Sequence, residues 1–161
     1  MDLQIRPFSN DDIEGVIQLS LRAWAPVFNS FEQILGARIY AAIYPDWQRQ
    51  QREVVGRVCK DGGEFTVFVA QVGATVAGFV AYAVNSEDQT GEVELLAVHP
   101  DYQNGGIGTE LNIFALEQLR ASGARVAVVG TGGDPGHAPA RRSYEKAGYT
   151  ALPLVRYYKA L

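Results

Sequence analysis

The hydrophobic positions of the chain change period several times, and each change marks an element. A short extended run, Leu3 to Arg6, comes first. Ser9 followed three residues later by Asp12 has the form of a capping box, and Ile13, Val16, Ile17, Ser20 and Trp24 then share one helical face. Beyond Pro26, the stretch Ile34 to Tyr44 reads as helical and Pro45 suits a restart. Trp47, Gln51, Val54, Val55 and Val58 then form one stripe, which Asp61-Gly62-Gly63 ends. The grammar next becomes that of strands. Glu64 to Ala70 and Thr75 to Val84 are rich in Val and Phe and flank the turn Val72-Gly73-Ala74, predicting an antiparallel hairpin. Glu92 to Val98 predicts a third strand, stopped at His99-Pro100 because proline cannot continue a ladder. Helical spacing returns from Ile107 through Leu111, Phe114, Ala115 and Leu119 to Ser122-Gly123. Arg125 to Val129 reads as a short strand of the buried type. A glycine-rich loop, Gly130 to Gly136, leads into a helix from His137 to Ala147 that Gly148 closes, and the tail from Tyr149 predicts one or two strands broken at Pro153.

This order predicts an α/β fold of the mixed, α+β kind, with a sheet only partly parallel. No repeat, low-complexity stretch or linker divides the chain, so residues 1–161 are expected to form a single domain. Hydrophobic residues make up 47% and charged residues 20%, an ordinary balance for a chain that supports its core without metal or disulfide staples. Cys59 is the one cysteine, no window is apolar enough for a membrane span, and Met1 to Asn10 lacks the layout of a signal peptide. The expected setting is a reducing cytoplasm, with no membrane partner. Eleven Arg and three Lys face eighteen acids, for a net charge of -4, without the basic stripe that a nucleic-acid backbone requires. His99 and His137 have no Cys or carboxylate cluster at ligand spacing, so no metal is expected. Cys59, read as lying on the surface flank of a helix without a histidine nearby in sequence, is not expected to act as a nucleophile.

The stretch Glu92 to Glu110 carries the chemistry. A strand there feeds a glycine-rich turn that opens an amphipathic helix. Backbone N–H groups at a helix start lack intrahelical acceptors and lie at the positive end of the dipole, so a phosphate can accept several of them. Gly105, Gly106 and Gly108 allow close approach, yet the spacing is neither that of a Walker A loop nor G-x-G-x-x-G. On these residues alone, a plain turn at a helix start is an equal reading.

Gln103-Asn104-Gly105-Gly106-Ile107-Gly108, preceded by L-A-V-H-P, meets Q-x-x-G-x-G and resembles the acetyl-CoA motif of the GNAT N-acetyltransferases. Ala140 to Tyr149, A-R-R-S-Y-E-K-A-G-Y, resembles the late helix of the same family. With the element order, the resemblance covers nearly the whole chain. It implies a GNAT-like fold: a central, mostly antiparallel sheet with splayed strands, flanked by about four helices. It further implies that the amides of Gln103, Asn104, Gly105, Gly106, Ile107, Gly108 and Thr109 hold the pyrophosphate of acetyl-CoA, with the strand backbone at Leu96, Ala97 and Val98 along the pantetheine arm. His137 and Ala140 of the late helix border the same arm in this reading, His137 standing where the family often has asparagine. An unpaired N–H such as that of Val98 would stabilise the oxyanion.

Attack by an amine needs a neutral nitrogen and therefore a base. The resemblance places Glu92 at the position of the family's general-base glutamate, and Glu94, two residues on along a strand, is expected on the same face as a substitute. Tyr144 matches the tyrosine that serves as general acid toward the departing thiolate. Each has a bland reading as well: solvated strand carboxylates, and an aromatic that packs the helix. Gly105 stands where relatives often carry a cation, which Arg141 and Arg142 are candidates to replace, while His137 is also a candidate proton relay. The aromatic-rich region Trp24, Phe28, Phe31, Tyr40, Tyr44 and Trp47 is either core or the roof of the acceptor pocket. Only thirteen residues follow Gly148, so a missing strand would leave a sheet edge open to a second copy, a homodimer. The reading is an enzyme that transfers acetyl from acetyl-CoA to a primary amine by direct attack in a ternary complex. The chain's acidity favours a small cationic acceptor, such as a polyamine, an aminoglycoside-like amine or a free amino acid, over a protein amine. The alternatives are a non-catalytic acyl-CoA-binding or regulatory module, and a binder of another phosphorylated ligand.

Overall fold

A computed structural model of the chain describes residues 2–161; Met1, where the segment read for a leader begins, lies outside them. Five strands form one sheet in the order β1 (Leu3–Pro7), β2 (Thr66–Val72), β3 (Thr75–Asn85), β4 (Thr90–Val98) and β5 (Val126–Val129). Neighbours are antiparallel except β4 and β5, which run parallel because α3 (Ile107–Ala121) carries the chain back between them. Before β2 come α1 (Ile13–Ile43) and α2 (Trp47–Val58), and after β5 comes α4 (Ala138–Lys146). Within α1, Gly36 stands at φ 79°, so two helical segments meet at a kink.

Alternation along the strands splits the core in two. On one face Ala70, Val80, Tyr82 and Val93 pack against Ile107, Leu111, Ala115 and Leu119 of α3. On the other, Val69, Phe79 and Ala97 pack against Val16, Ile17 and Leu19 of α1 and Val55 of α2. The N-terminal signal forms as a 3-10 turn, Asn10–Asp12, leading into α1, with the Ser9 N–H donating to Asp12 Oδ2 at 2.8 Å. Arg6 of β1 donates to both oxygens of Asp12 at 2.8 Å, joining the first strand to the first helix.

Three expectations are corrected. Tyr149 to Leu161 forms no strand: the tail has no regular structure, with Leu152, Leu154, Val155 and Tyr157 exposed and Arg38 of α1 donating to the Leu161 carbonyl at 3.0 Å. Pro153 cannot donate to a ladder, and few residues remain on either side of it to build one. β5 is an edge strand and not a buried one, with Val126 and Val128 exposed, because among the described residues only β4 pairs with it. Cys59 is buried at the end of α2 and not on a surface flank. No helix among the described residues is long and apolar enough to cross a membrane.

Candidate functional site

The site begins where β4 outruns β5. Their pairing ends at Val93↔Val129, and β4 continues alone to Val98. His99 donates its N–H to Ala77 O, toward β3, at 2.7 Å. Backbone groups alternate sides along a strand, so those of Val98 and Leu96 turn away from β3, into the space that β5 leaves. The Val98 carbonyl accepts from the Gln103 side chain at 3.0 Å. That bond ties the glutamine of the loop to the strand and leaves the Val98 N–H, with both polar groups of Leu96, facing the gap.

The gap opens onto the start of α3. Asn104 (φ 64°) and Gly106 (φ 89°) adopt left-handed backbone, turning the chain sharply into the helix. Glu110 is the first residue of the helix whose N–H finds a backbone acceptor, Gly106 O at 3.0 Å. Among the described residues, no backbone acceptor meets the N–H groups of the stretch 104–109. Gln103 through Gly106 are exposed, so these donors converge at the positive end of a long helix within reach of a ligand. Gly108 lies close under α4, where a Cβ would come within 3.3 Å of Ser143 Oγ. Ser143 in turn accepts from Asn112 Nδ2 at 2.9 Å, a half-buried bond that fixes α4 against α3.

Of the proposed proton-handling residues, Glu92 and Glu94 are both exposed on β4. They do not share a simple alternation. The β3–β4 register slips between Ala81 and Tyr82, where Tyr82 faces Val93 and Ala81 faces Leu95, so Glu94 is the extra residue of a bulge. Val93 accordingly packs on the α3 side and Leu95, two residues on, on the α1 side. Glu92 still pairs across to Val128, while Glu94 is the first residue past the last β4–β5 pair, at the mouth of the gap. Tyr144 sits on α4 with its ring edge-on to Tyr149, centroids 5.8 Å apart. Burial, with a smaller contribution from Tyr149, pushes its phenol up to about 12, so it keeps its proton at neutral pH. Burial likewise pushes the Cys59 thiol up to about 11, the opposite of what a nucleophile needs.

His137 is the N-cap residue of α4, and its Nδ1 faces Asp134 Oδ1 at 2.5 Å; Ala140 is half-buried one turn on. Arg141 is not free for phosphates, since it donates to Gly132 O at 2.6 Å and Asp134 O at 2.8 Å; Arg142 is exposed. The aromatic region forms a packed group: Phe28 stacks on Trp47 at 4.5 Å, Phe31 on Tyr44 at 5.6 Å, and Phe31 reaches the His137 ring at 5.7 Å. Among the described residues, no group of three or more His, Cys, Asp or Glu could hold a metal ion. Surface concavities of about 360 Å³ beside Phe8, Cys59 and Phe65, and about 470 Å³ beside Gln18, Arg22, Thr75 and His99, include none of the residues 94–98 or 103–109 in their lining. Sequence reasoning missed the bulge, Asn112 and Asp134. The first two depend on pairing and packing, but Asp134-Pro135-Gly136-His137 has the look of an Asx turn and could have been noticed.

Comparison with known proteins bears on this geometry. The family described as Acetyltransferase (GNAT) family matches residues 25–149. A mycothiol acetyltransferase of Streptomyces bingchenggensis is 31% identical over 92 residues, 57% of this chain and 29% of that protein. An amino-acid acetyltransferase of Azotobacter vinelandii is 33% identical over 108 residues, 67% of this chain and 24% of that protein. The chain thus spans less than a third of the length of these curated relatives. A GNAT family acetyltransferase from Brucella melitensis, solved in complex with acetyl-CoA, shares the fold with a TM-score of 0.64 at 23% identity, over 92% of this chain and 83% of that one.

Proposed function

Since the chain belongs to the GNAT acetyltransferase family, we propose that it is an N-acetyltransferase domain that moves an acetyl group from acetyl-CoA to a primary amine. The observation that carries this reading is the run of N–H groups at 104–109, open at the start of α3 and continuous with the unpaired edge of β4. A pyrophosphate would be held by those amides and a pantetheine amide by the backbone groups of Leu96, while His137 and Ala140 border the arm from α4. The fit rests on donor chemistry: a dianionic group suits a helix N-terminus lined by glycine.

The acceptor approaches from the α1 side, under Phe28, Phe31, Tyr44 and Trp47. Glu92 or Glu94 removes a proton from the incoming ammonium, both being exposed and at or next to the mouth of the gap. The nitrogen attacks directly in a ternary complex, since the buried, protonated Cys59 offers no acyl-enzyme route. The Val98 N–H supports the oxyanion, and Tyr144, which keeps its proton, donates a hydrogen bond to the departing sulfur. An acidic chain favours a small cationic acceptor, and the similarity to an amino-acid acetyltransferase of Azotobacter vinelandii supports a small amine. The open β5 edge and the exposed tail support a homodimer, and the buried lone cysteine is compatible with a reducing, cytoplasmic setting.

Release of CoA thiol across a panel of polyamines, aminoglycosides and amino acids tests the reading. Release that needs both acetyl-CoA and an amine is expected. Glu92→Gln, Glu94→Gln and Tyr144→Phe together should slow it about 100-fold or more while acetyl-CoA still binds. An unchanged rate in the triple variant would overturn these roles, and binding without release for any amine would make the protein an acyl-CoA-binding module.

A further inference from the structure

Resting on the acyl-transfer reading above, we propose that Asp134 and His137 form a catalytic dyad, in which His137 Nε2 accepts the proton that the acceptor nitrogen sheds as it bonds to the acetyl carbon. The loop that carries them leaves β5 at Gly130, immediately after the last β4–β5 pair, and packs against α1 and α4, with the His137 ring beside Phe31. Several features hold it there. Gly136 lies so close to α1 that a Cβ would come within 2.8 Å of Val27 Cα and 3.0 Å of Pro26 O. Its N–H donates to Asp134 Oδ2 at 3.1 Å and to Ser30 Oγ at 3.3 Å. A Cβ on Gly132 would collide with both Asp134 and His137, so only glycine lets the two side chains meet. Arg141 clamps the loop from α4 through the carbonyls of Gly132 and Asp134.

The dyad has a defined polarity. Burial alone would raise the Asp134 carboxyl, but the hydrogen bonds from His137 and Ser30 outweigh it and hold the group below the ordinary carboxylate range, hence ionised. An ionised carboxylate only accepts, so the proton of the imidazole lies on Nδ1. Nε2 lies across the ring, the nitrogen left to exchange a proton with a ligand whenever the imidazole is neutral. It meets no hydrogen-bond partner among the described residues and is not among the buried polar atoms that lack one, so solvent or a ligand reaches it. Phe31 shields the ring on one side. A mere staple of the loop would need a donor toward Asp134 and nothing more, which an amide side chain supplies equally well.

The proton count leaves room for two acceptors. An ammonium loses its first proton through Glu92 or Glu94 to water. Its lone pair then attacks the acetyl carbon, and the second proton passes to Nε2. The C–S bond breaks with its electron pair left on sulfur, which takes a proton from water beside Tyr144, and the imidazolium, stabilised by Asp134, returns its proton to water.

The test uses the full chain with acetyl-CoA and a responsive amine. His137→Asn and Asp134→Asn should lower kcat about 100-fold and at least 10-fold respectively, with Tm held and acetyl-CoA still bound, since asparagine can border the pantetheine arm as histidine does. Imidazole should restore part of the rate of His137→Ala, and nitrogen NMR should find Nε2 unprotonated in the wild type. Full kcat in His137→Asn, or a proton on Nε2, would overturn the dyad and leave a staple. Acetyl-CoA affinity on the same samples separates the two levels: absence of binding by the wild type overturns the acyl-transfer reading itself, whereas binding with unchanged kcat in His137→Asn overturns the dyad alone.

Discussion

Replacing Gly106 by Glu, with Gly106→Ala as its control, separates backbone strain from charge at the loop. Gly106 holds φ 89° as the N-cap of α3, and a Cβ there would meet nothing within 4 Å. Collision therefore contributes nothing in either variant. The common cost is that of an L-residue in left-handed backbone, about 1–2 kcal/mol. For a domain of this size that lowers Tm by about 2–8 °C. The carboxylate adds what Ala lacks. At about 5 Å from a phosphate charge and an effective dielectric of about 20, the repulsion is about 3 kcal/mol, more than 100-fold in Kd. Calorimetric titration with acetyl-CoA, paired with thermal unfolding, reads both terms. Equal Tm losses are expected, with Ala within about tenfold of wild-type affinity and Glu below detection at low salt, partly recovering at high salt. A folded Glu variant that binds acetyl-CoA as well as the Ala variant would refute the placement of the pyrophosphate on these amides.

Two further outcomes concern the frame that holds the groove. Asp12→Asn should cost about 1–3 kcal/mol at neutral pH, since it breaks a two-pronged bond to Arg6 whose acidic partner is 8% exposed. The Arg6 guanidinium, outweighing burial, lowers the Asp12 carboxyl in the fold, so the native state binds fewer protons there. Its stabilisation is complete above the unfolded value of about 3.9 and fades as pH falls through the lower folded value. Denaturant unfolding of both proteins from pH 7 to pH 2 should show the gap narrowing on the acid side, and a gap independent of pH would refute the ion pair as its source. Gly78→Ala should lower Tm by about 2–12 °C through about 1–3 kcal/mol of overpacking. A Cβ there would come within 2.9 Å of Ala97 O and 3.1 Å of Leu111 Cδ1, between β4 and the buried face of α3, and an unchanged Tm would show that this contact has room to give.

Much of this architecture follows from local rules. Period alone marked out β2, β3 and β4, the stripes of α1, α2 and α3, and the glycine-rich entry to α3, because a residue's face is set by its spacing within one element. The expectation of an anion at residues 103–109 was equally local, resting on helix-end donors that exist wherever a helix begins. What needed the tertiary structure were the relations between elements. The bulge at Glu94 arises from how β4 pairs with β3, and the gap from where β5 stops, neither of which is encoded in β4 itself. Cys59 and Asn112 look like surface residues until their neighbours bury them. The tail reads as strand by composition, yet a strand exists only with a partner. Asp134 and His137 meet because Gly132, Gly136 and Arg141 fold their loop against α1, a contact between residues more than a hundred positions apart in the case of Ser30 and Gly136. The sequence by itself thus determined which segments form the helices and most of the strands, and which loop opens a helix with free donors, since those depend on near neighbours. Only the packed fold decided which polar groups are left open toward a ligand, since that depends on what every distant segment covers.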